Sequence, residues 1–440
     1  MAIEISNIVD LQKIGNDPDY PLDGEYELTQ DIDASDTINW NDGAGFVPIG
    51  DSSNFFAGSF DGKDHTISNL YINTTINQLE DKFASIFSCT NDSSFENLTL
   101  VDCTVIAHEC EINIVDTTLS NASSVLLGAA IQTTISNIKL INCTTGSEDS
   151  FAHSSVLASY CLSCDITNCH TVLCNVFSSQ STTPFILAVL SDSSSSIVGC
   201  SSIACANYSN ESSSSFIFMA QVDNASSSIT IENCFTTSHL FTNCSSASGF
   251  LHTVNLSGGG SIELTNSYSF SLIAPAETKK GLVYHFEGSP DNLTINNCYW
   301  SVELSDTTES AGNGGTCKTI EEMFDSATYE DWDFEGVWGI SEGTLPYLVE
   351  LEETYVPKLT NNHLLYALIF LMSTFLKIEQ HSYQYNDNLA LNFIISQSLD
   401  EYSKTNFSTA IDITISLGEY KEIDITTVED LIKIGVDENY

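Results

Sequence analysis

The densest set of side chains able to do chemistry is Cys161-Leu-Ser-Cys164, followed closely by Cys169-His170 and Cys174. Two soft pairs beside an imidazole have the composition of a zinc site. Against that reading, Asn168-Cys169 is one copy of a mark that recurs along the chain, and cysteines close together in a strand face alternate sides. The mark predicts a small apolar thiol buried at the same corner of successive structural units, which is the stronger expectation. Stacked equivalents would also lie within disulfide reach, with Cys161–Cys164 and Cys103–Cys110 as candidates, although pairing is not legible in sequence. Asp31, Asp33 and Asp61, with His65 beside them, have the oxygen chemistry for calcium. Carboxylates at turns also cap their own backbone, and that structural role is preferred. No Ser/His/Asp or Cys/His set stands in a recognisable motif. Exposed Tyr299 or Trp300 could stack on sugars.

Twelve Asn-x-Ser/Thr sites permit N-glycosylation: Asn73, Asn91, Asn97, Asn121, Asn142, Asn207, Asn210, Asn224, Asn243, Asn255, Asn292 and Asn406. In a chain so rich in Asn, Ser and Thr, composition alone would generate most of them.

The elements that must position these groups are mostly strands. Ser and Thr number 100 of 440 residues and Pro only 8, a composition poor in helix fillers and rich in strand and turn formers. The formal charge is −47, from 12 basic residues, all lysine, against 59 acidic ones. That balance excludes most nucleic-acid partners and disfavours anionic lipid. A hydrophobic content of 42% argues against wholesale disorder.

From about residue 85 to 300 an apolar stretch, a polar turn and a β-branched run ending in Asn-Cys repeat. Examples are Ile135-Ser-Asn-Ile-Lys-Leu-Ile-Asn-Cys143, Ile229-Thr-Ile-Glu-Asn-Cys234 and Leu293-Thr-Ile-Asn-Asn-Cys298. With variants at Cys103, Cys169, Cys200 and Ser267, the spacings are 40, 26, 31, 34, 33 and 31 residues. Units of that length cannot bury a core alone, so they must stack side by side in parallel. The expected fold is all-β, a right-handed parallel β-helix of eight to ten coils, roughly 40–50 Å long at the usual strand spacing. Helical caps are expected at Val9-Asp-Leu-Gln-Lys-Ile-Gly15 and Lys318-Thr-Ile-Glu-Glu-Met-Phe324, with the aromatics of Trp332–Trp338 closing over the last coil.

Several segments resemble the GLUG-motif β-helix family of cell-surface proteins, named for a Gly-Leu-x-Gly signature. They are Asp10-Leu-Gln-Lys-Ile-Gly15, Tyr26-Glu-Leu-Thr-Gln-Asp-Ile-Asp33, Val47-Pro-Ile-Gly50, Phe56-Ala-Gly-Ser-Phe-Asp-Gly62 and His65-Thr-Ile-Ser-Asn-Leu70. Towards the other end they are Asn297-Cys-Tyr-Trp300, Lys318-Thr-Ile-Glu-Glu-Met323, Trp332-Asp-Phe, Trp338-Gly-Ile-Ser-Glu-Gly343 and Pro346-Tyr-Leu348. The signature itself is only partly matched at Gly128-Ala-Ala, Gly249-Phe-Leu and Gly281-Leu-Val. The resemblance spans about residues 3–350. It implies surface display or binding, with no catalytic residues to carry over. Similar modules occur in adhesin-like proteins and beside the protease domains of immunoglobulin-cleaving metallopeptidases.

The two ends of the chain repeat each other. Residues 3–20 and 423–440 are identical at nine of eighteen positions, which predicts a further copy of the module in a longer chain. The expected layout is a cap and first coil over 1–54, coils over 55–305, and a C-terminal cap over 306–350. A partly helical apolar segment over 351–422 and the start of a second copy over 423–440 follow. The apolar run His363–Leu376 is expected as a buried helix, or alternatively as a signal-sequence core. No signal peptide is recognisable at Met1-Ala-Ile-Glu-Ile, which the fragment reading explains. The expected function is non-catalytic adhesion to a surface glycan or protein, outside the cell, with no membrane insertion by the coils and no cofactor beyond calcium. A structural spacer is the alternative. Third comes an enzyme on neutral glycans, for which no Asp/Glu pair recurs on one face of successive coils.

Overall fold

A computed structural model describes residues 2–419 except 76–81, 108–110, 115–116, 121, 148–151, 242–243, 274–275 and 352. For 111–114 and 117–120 it describes the backbone alone. The repeat-copy segment 423–440 therefore lies outside the described residues. The chain divides into two units, Met1–Tyr355 and Val356–Tyr440.

The first unit is a parallel β-solenoid. Rungs of one long sheet open at Ile3, Glu25, Ser59, Ser94, Thr134, Asp165, Ser194, Ser228, Ser261, Leu293 and Gly314, eleven among the described residues. Each pairs in parallel with the next, for example Thr134 with Ser94 and Asp165 with Thr134. The stack is therefore about 50 Å long at the usual strand spacing, at the upper end of the expected length, with one rung more than the eight to ten coils expected. One coil shows the path. Ala158–Leu162 lies in a back sheet, Asp165–Thr167 and His170–Val172 in the long sheet, Asn175–Ser178 in a short sheet, and Ser181–Thr182 in a narrow serine-rich sheet. The next coil then begins at Ile186.

The Asn-Cys mark explains how the chain turns. The asparagines adopt left-handed backbone, with φ of 52° at Asn142, 50° at Asn168, 53° at Asn233 and 51° at Asn297, and Asn137 at the matching place before Ile138 does the same at 54°. Asn tolerates this conformation better than most residues because its short amide bonds locally. Here the amides also bond between coils, Asn137 Nδ2 donating to Asn97 Oδ1 at 2.9 Å and Asn168 Nδ2 to Asn137 Oδ1 at 2.8 Å. The following cysteine turns inward, and its S–H reaches the carbonyl two residues back. The distances are 3.3 Å for Cys169 to Thr167, 3.3 Å for Cys200 to Val198, and 3.2 Å for Cys234 to Glu232. Ser267 makes the same bond to Thr265 at 2.7 Å. The mark is thus a corner bracket in which a small side-chain donor satisfies a carbonyl that the bend leaves over.

The marks fall in two rows rather than one. Backbone bonds from Ser201 to Cys169, Phe235 to Cys200, Tyr268 to Cys234 and Tyr299 to Ser267 align one row midway along the long sheet. Bonds from Thr144 to Cys103, Asn175 to Cys143 and Ala206 to Cys174 align another at the corner with the short sheet. The short spacing between Cys143 and Cys169 is the step from one row to the other.

The core is correspondingly divided. Phe56, Phe60, Phe87, Phe95 and the inward Ile and Leu residues form an apolar body, joined by Phe185, which stacks on Phe216 at 4.5 Å. At the serine-rich corner, hydroxyls pair from coil to coil: Ser123 with Ser154 at 2.9 Å and Thr182 with Ser213 at 2.8 Å. Pairing of this kind offsets the cost of burying them.

At the N-terminal end Asn7 caps helix Ile8–Lys13, which buries Ile8 and Leu11 beside the first rung. The C-terminal aromatics do not close over the last coil as expected. Trp332 Nε1 donates to Asn297 O at 3.1 Å, Trp338 Nε1 to Asn233 Oδ1 at 3.3 Å, and Tyr268 Oη to Pro346 O at 2.7 Å. The segment is a strap running back along the outside of the long sheet. The reason is an outward row of rings, Phe235, Tyr268 and Tyr299, which offers apolar surface in three successive rungs.

In the second unit, strands Lys377–Gln384, Ala410–Ser416 and Ile394–Gln397 form a sheet. The expected apolar run is helical only over Leu364–Ser373, and Ala367 and Leu371 pack with Ile411, Ile413 and Ile415. Among the described residues, no helix is long and apolar enough to cross a membrane.

Candidate functional site

The fold disperses the cysteine cluster only in part: the Cys161 thiol adjoins that of Cys164, while Cys174 bonds towards the neighbouring coils. Cys161, Cys164, Cys169, His170 and Cys174 are all buried, but they occupy successive corners of one coil. Cys164 donates to Ala130 O at 3.3 Å and Cys174 to Leu140 O at 3.4 Å, each in the neighbouring coil. Burial holds the Cys169 and Cys174 thiols well above their ordinary range, so both remain protonated donors. His170 has both nitrogens engaged, with Ser201 Oγ at 2.8 Å and Asn168 Oδ1 at 2.7 Å. Burial pushes its pKa down to about 3, so it is neutral. Among the described residues no group of three or more His, Cys, Asp or Glu is arranged to hold a metal. Cys161 and Cys164 are not joined by a disulfide, and neither is Cys103; Cys110 lies outside the described residues.

The calcium candidates already bond to the protein. Asp31 Oδ1 accepts from Thr66 N at 2.9 Å and lies 3.1 Å from His65 Nδ1. Asp33 Oδ1 accepts from Ser35 N at 3.0 Å and Asn69 Nδ2 at 3.1 Å. These bonds, chiefly the backbone ones, lower both pKa values. Asp61 accepts from Lys63 N at 2.8 Å and Asn97 Nδ2 at 3.1 Å, and Lys63 Nζ lies 2.8 Å from its other oxygen. Asp33 and Asp61 act as turn caps and as the start of the asparagine ladder, and Asp31 ties its turn to the residues at His65 and Thr66.

Two further expectations are overturned by strand alternation. Trp300 faces inward, is 4% exposed, and donates from Nε1 to Thr307 O at 3.0 Å, so its face is closed to a sugar. Tyr299 faces outward but packs against Tyr329 and Trp332 of the strap. Among the sequons, Asn207 is fully buried with Nδ2 near Ser214 O at 3.4 Å, which closes it to a glycan. Asn97 and Asn142 belong to the corner ladders; Asn142 Nδ2 donates to Asp102 Oδ1 at 2.6 Å. Asn210 and Asn406 are exposed, whereas Asn73, Asn91, Asn224, Asn255 and Asn292 are half-buried. Asn121 and Asn243 lie outside the described residues.

What the outer surface offers instead is a band of acceptors. Glu25, Ser59, Ser94, Thr134 and Asp165 stand in register on consecutive rungs, and Glu27, Asp61, Glu96, Ser136 and Thr167 form the parallel row. Beside the first row runs an open groove of about 420 Å³ lined by Asp23, Glu25, Ser59, Asp92, Ser94, Gln132 and Thr134. Carboxylates, hydroxyls and an amide can accept from hydroxyl-bearing or cationic groups. The sequence signal was the alternation in Ser94-Phe-Glu96 and Thr134-Ile-Ser136, where apolar residues mark the inner face and their neighbours the outer one.

Fold and surface together define a parallel β-solenoid with an acceptor-rich outer face. No family model matches the chain. Over 74 residues, 16% of its length, it is 51% identical to Halomucin of Haloquadratum walsbyi (strain DSM 16790 / HBSQ001), and it spans about 1% of that protein. A solved structure from Bacteroides ovatus, provisionally named an immunoglobulin A1 protease, aligns with 79% of this chain and 92% of its own. The TM-score is 0.41 and the identity 14%.

Proposed function

We propose that the chain is a non-catalytic module of an extracellular or cell-surface protein, of the GLUG-motif β-helix kind, that binds a surface glycan or protein. The observation that carries this reading is the division of chemistry across the coil. Thiols are turned inward and hydrogen-bonded, while carboxylates and hydroxyls are set outward in rows at the coil spacing. Such a face suits neutral, hydroxyl-rich or cationic partners, because the charge of −47 repels polyanions. The likeness to a stretch of Halomucin and the arginine-free, serine-rich composition support a place outside the cell.

The test is binding of the whole chain to glycan and surface-protein arrays, repeated with Glu25→Gln and Asp92→Asn in the groove. Binding weakened by these changes is expected. No binding to any partner overturns the reading in favour of a spacer, which the strap over rungs eight to ten would also suit. Release of reducing sugar from a neutral polysaccharide would instead make the groove catalytic.

A further inference from the structure

We propose that Asn210 and Asn406 carry N-linked glycans, and that the fold excludes them from Asn97, Asn142 and Asn207; this rests on the extracellular reading above. The sequons separate by what the side-chain amide does. Asn97 Nδ2 bonds Asp61 while its Oδ1 accepts from Asn137, so the amide is clamped between two neighbouring coils. Asn142 is held to Asp102 in the adjacent ladder. Rungs are only about 4.8 Å apart, which leaves no room for a sugar beside a laddered amide. Asn207 is fully buried.

Asn210 lies in the exposed turn between Ala206–Ser209 and Ser212–Ser214. Asn406 lies in the exposed loop between Lys404–Thr405 and Ala410–Ser416. No side-chain hydrogen bond among the described residues holds either amide.

Transfer precedes folding, because the sequon hydroxyls are withdrawn in the folded chain. Ser212 Oγ lies 2.9 Å from Ser246 Oγ, and Ser408 Oγ is buried. In the transfer, Asn Nδ2 bonds the anomeric carbon of a lipid-linked oligosaccharide diphosphate. The lipid diphosphate leaves, and one amide proton is lost. The fold then decides where the glycan is tolerated.

The experiment is glycopeptide mass spectrometry on the full chain, from the surface fraction of its own cells and from a eukaryotic secretory host. Asn210→Gln and Asn406→Gln are made in the host. The expected result is occupancy at both sites, one glycan mass lost with each substitution, and unmodified Asn97, Asn142 and Asn207 in the folded secreted protein. Bare Asn210 and Asn406 in a surface-exposed chain, or a glycan on any of the other three, overturns the proposal. If the native chain is absent from the surface fraction, the extracellular reading fails; the ranking of sites is still decided in the secretory host.

Discussion

One outward row of the long sheet changes character along its length. From the N-terminal end it reads Thr66, Thr99, Lys139, His170, Ser201, Phe235, Tyr268 and Tyr299, each in register with the next. Where the row is polar at its start, the neighbouring rows are left to solvent with their carboxylates. Where it becomes aromatic, the strap that starts at Tyr329 lies across it, and Tyr268, Trp332 and Trp338 pack with ring centroids 4.4–6.2 Å apart; the end of the strap, at Glu353–Tyr355, reaches on beside Lys139 and the buried His170. A repeating backbone therefore supports two kinds of outer surface, and the aromatic side chains of that one row hold the rings of the strap.

The largest effect is expected in the strapped half. Trp338→Ala removes a fully buried ring, and aromatic truncations of this kind cost about 3–5 kcal/mol. Thermal unfolding should shift down sharply, with new proteolytic cleavage within the strap. An unchanged melting point with no new cleavage would mean that the strap is not integral.

Next comes pH. Burial pushes the pKa of His170 and His239 down to about 3 and that of His252 to about 4, against 6.5 when unfolded. Between those values the unfolded chain binds more protons than the folded one, so stability falls as pH drops from 6.5 towards 3. The lowered carboxyls of Asp31 and Asp33 add a loss in the same direction at the acid end. His252 is stacked between Phe218 at 4.6 Å and Tyr284 at 4.5 Å. His252→Phe keeps that stack, and denaturant titrations should show a shallower pH dependence.

Smaller effects should come from the corners. Ala204 holds a left-handed φ of 49° at the position where Asn142 stands two coils earlier. Ala204→Gly should add about 1 kcal/mol in equilibrium unfolding, the scale of the left-handed penalty. The smallest change is on the open half: Glu25→Gln should leave stability within about 0.5 kcal/mol, as exposed substitutions do. A large loss there would erase the contrast between the two halves.

The repeat was legible because each Asn-Cys mark combines a left-handed corner with an inward donor, and both demands fall on adjacent residues. That some marks belong to a second row was hidden in the spacing between Cys143 and Cys169, since either corner can carry the same pair. The strap was not legible because its direction is set by an outward row spread over Phe235, Tyr268 and Tyr299, whose alignment requires the register. The same gap misplaced Trp300, since a one-residue shift exchanges the inner and outer faces. The acceptor band was not legible because Ser59, Ser94 and Thr134 come into line only once the register is known.

The central claim is that successive coils lie in register, and distances between nitroxide labels placed on Glu25→Cys, Thr134→Cys and Thr294→Cys test it most directly. These exposed positions share one outward row, three rungs apart and then five. At about 4.8 Å per rung the account predicts separations near 14, 24 and 38 Å, the longest equal to the sum of the others. Separations that are unequal to that sum, or unrelated to the number of rungs, would contradict it.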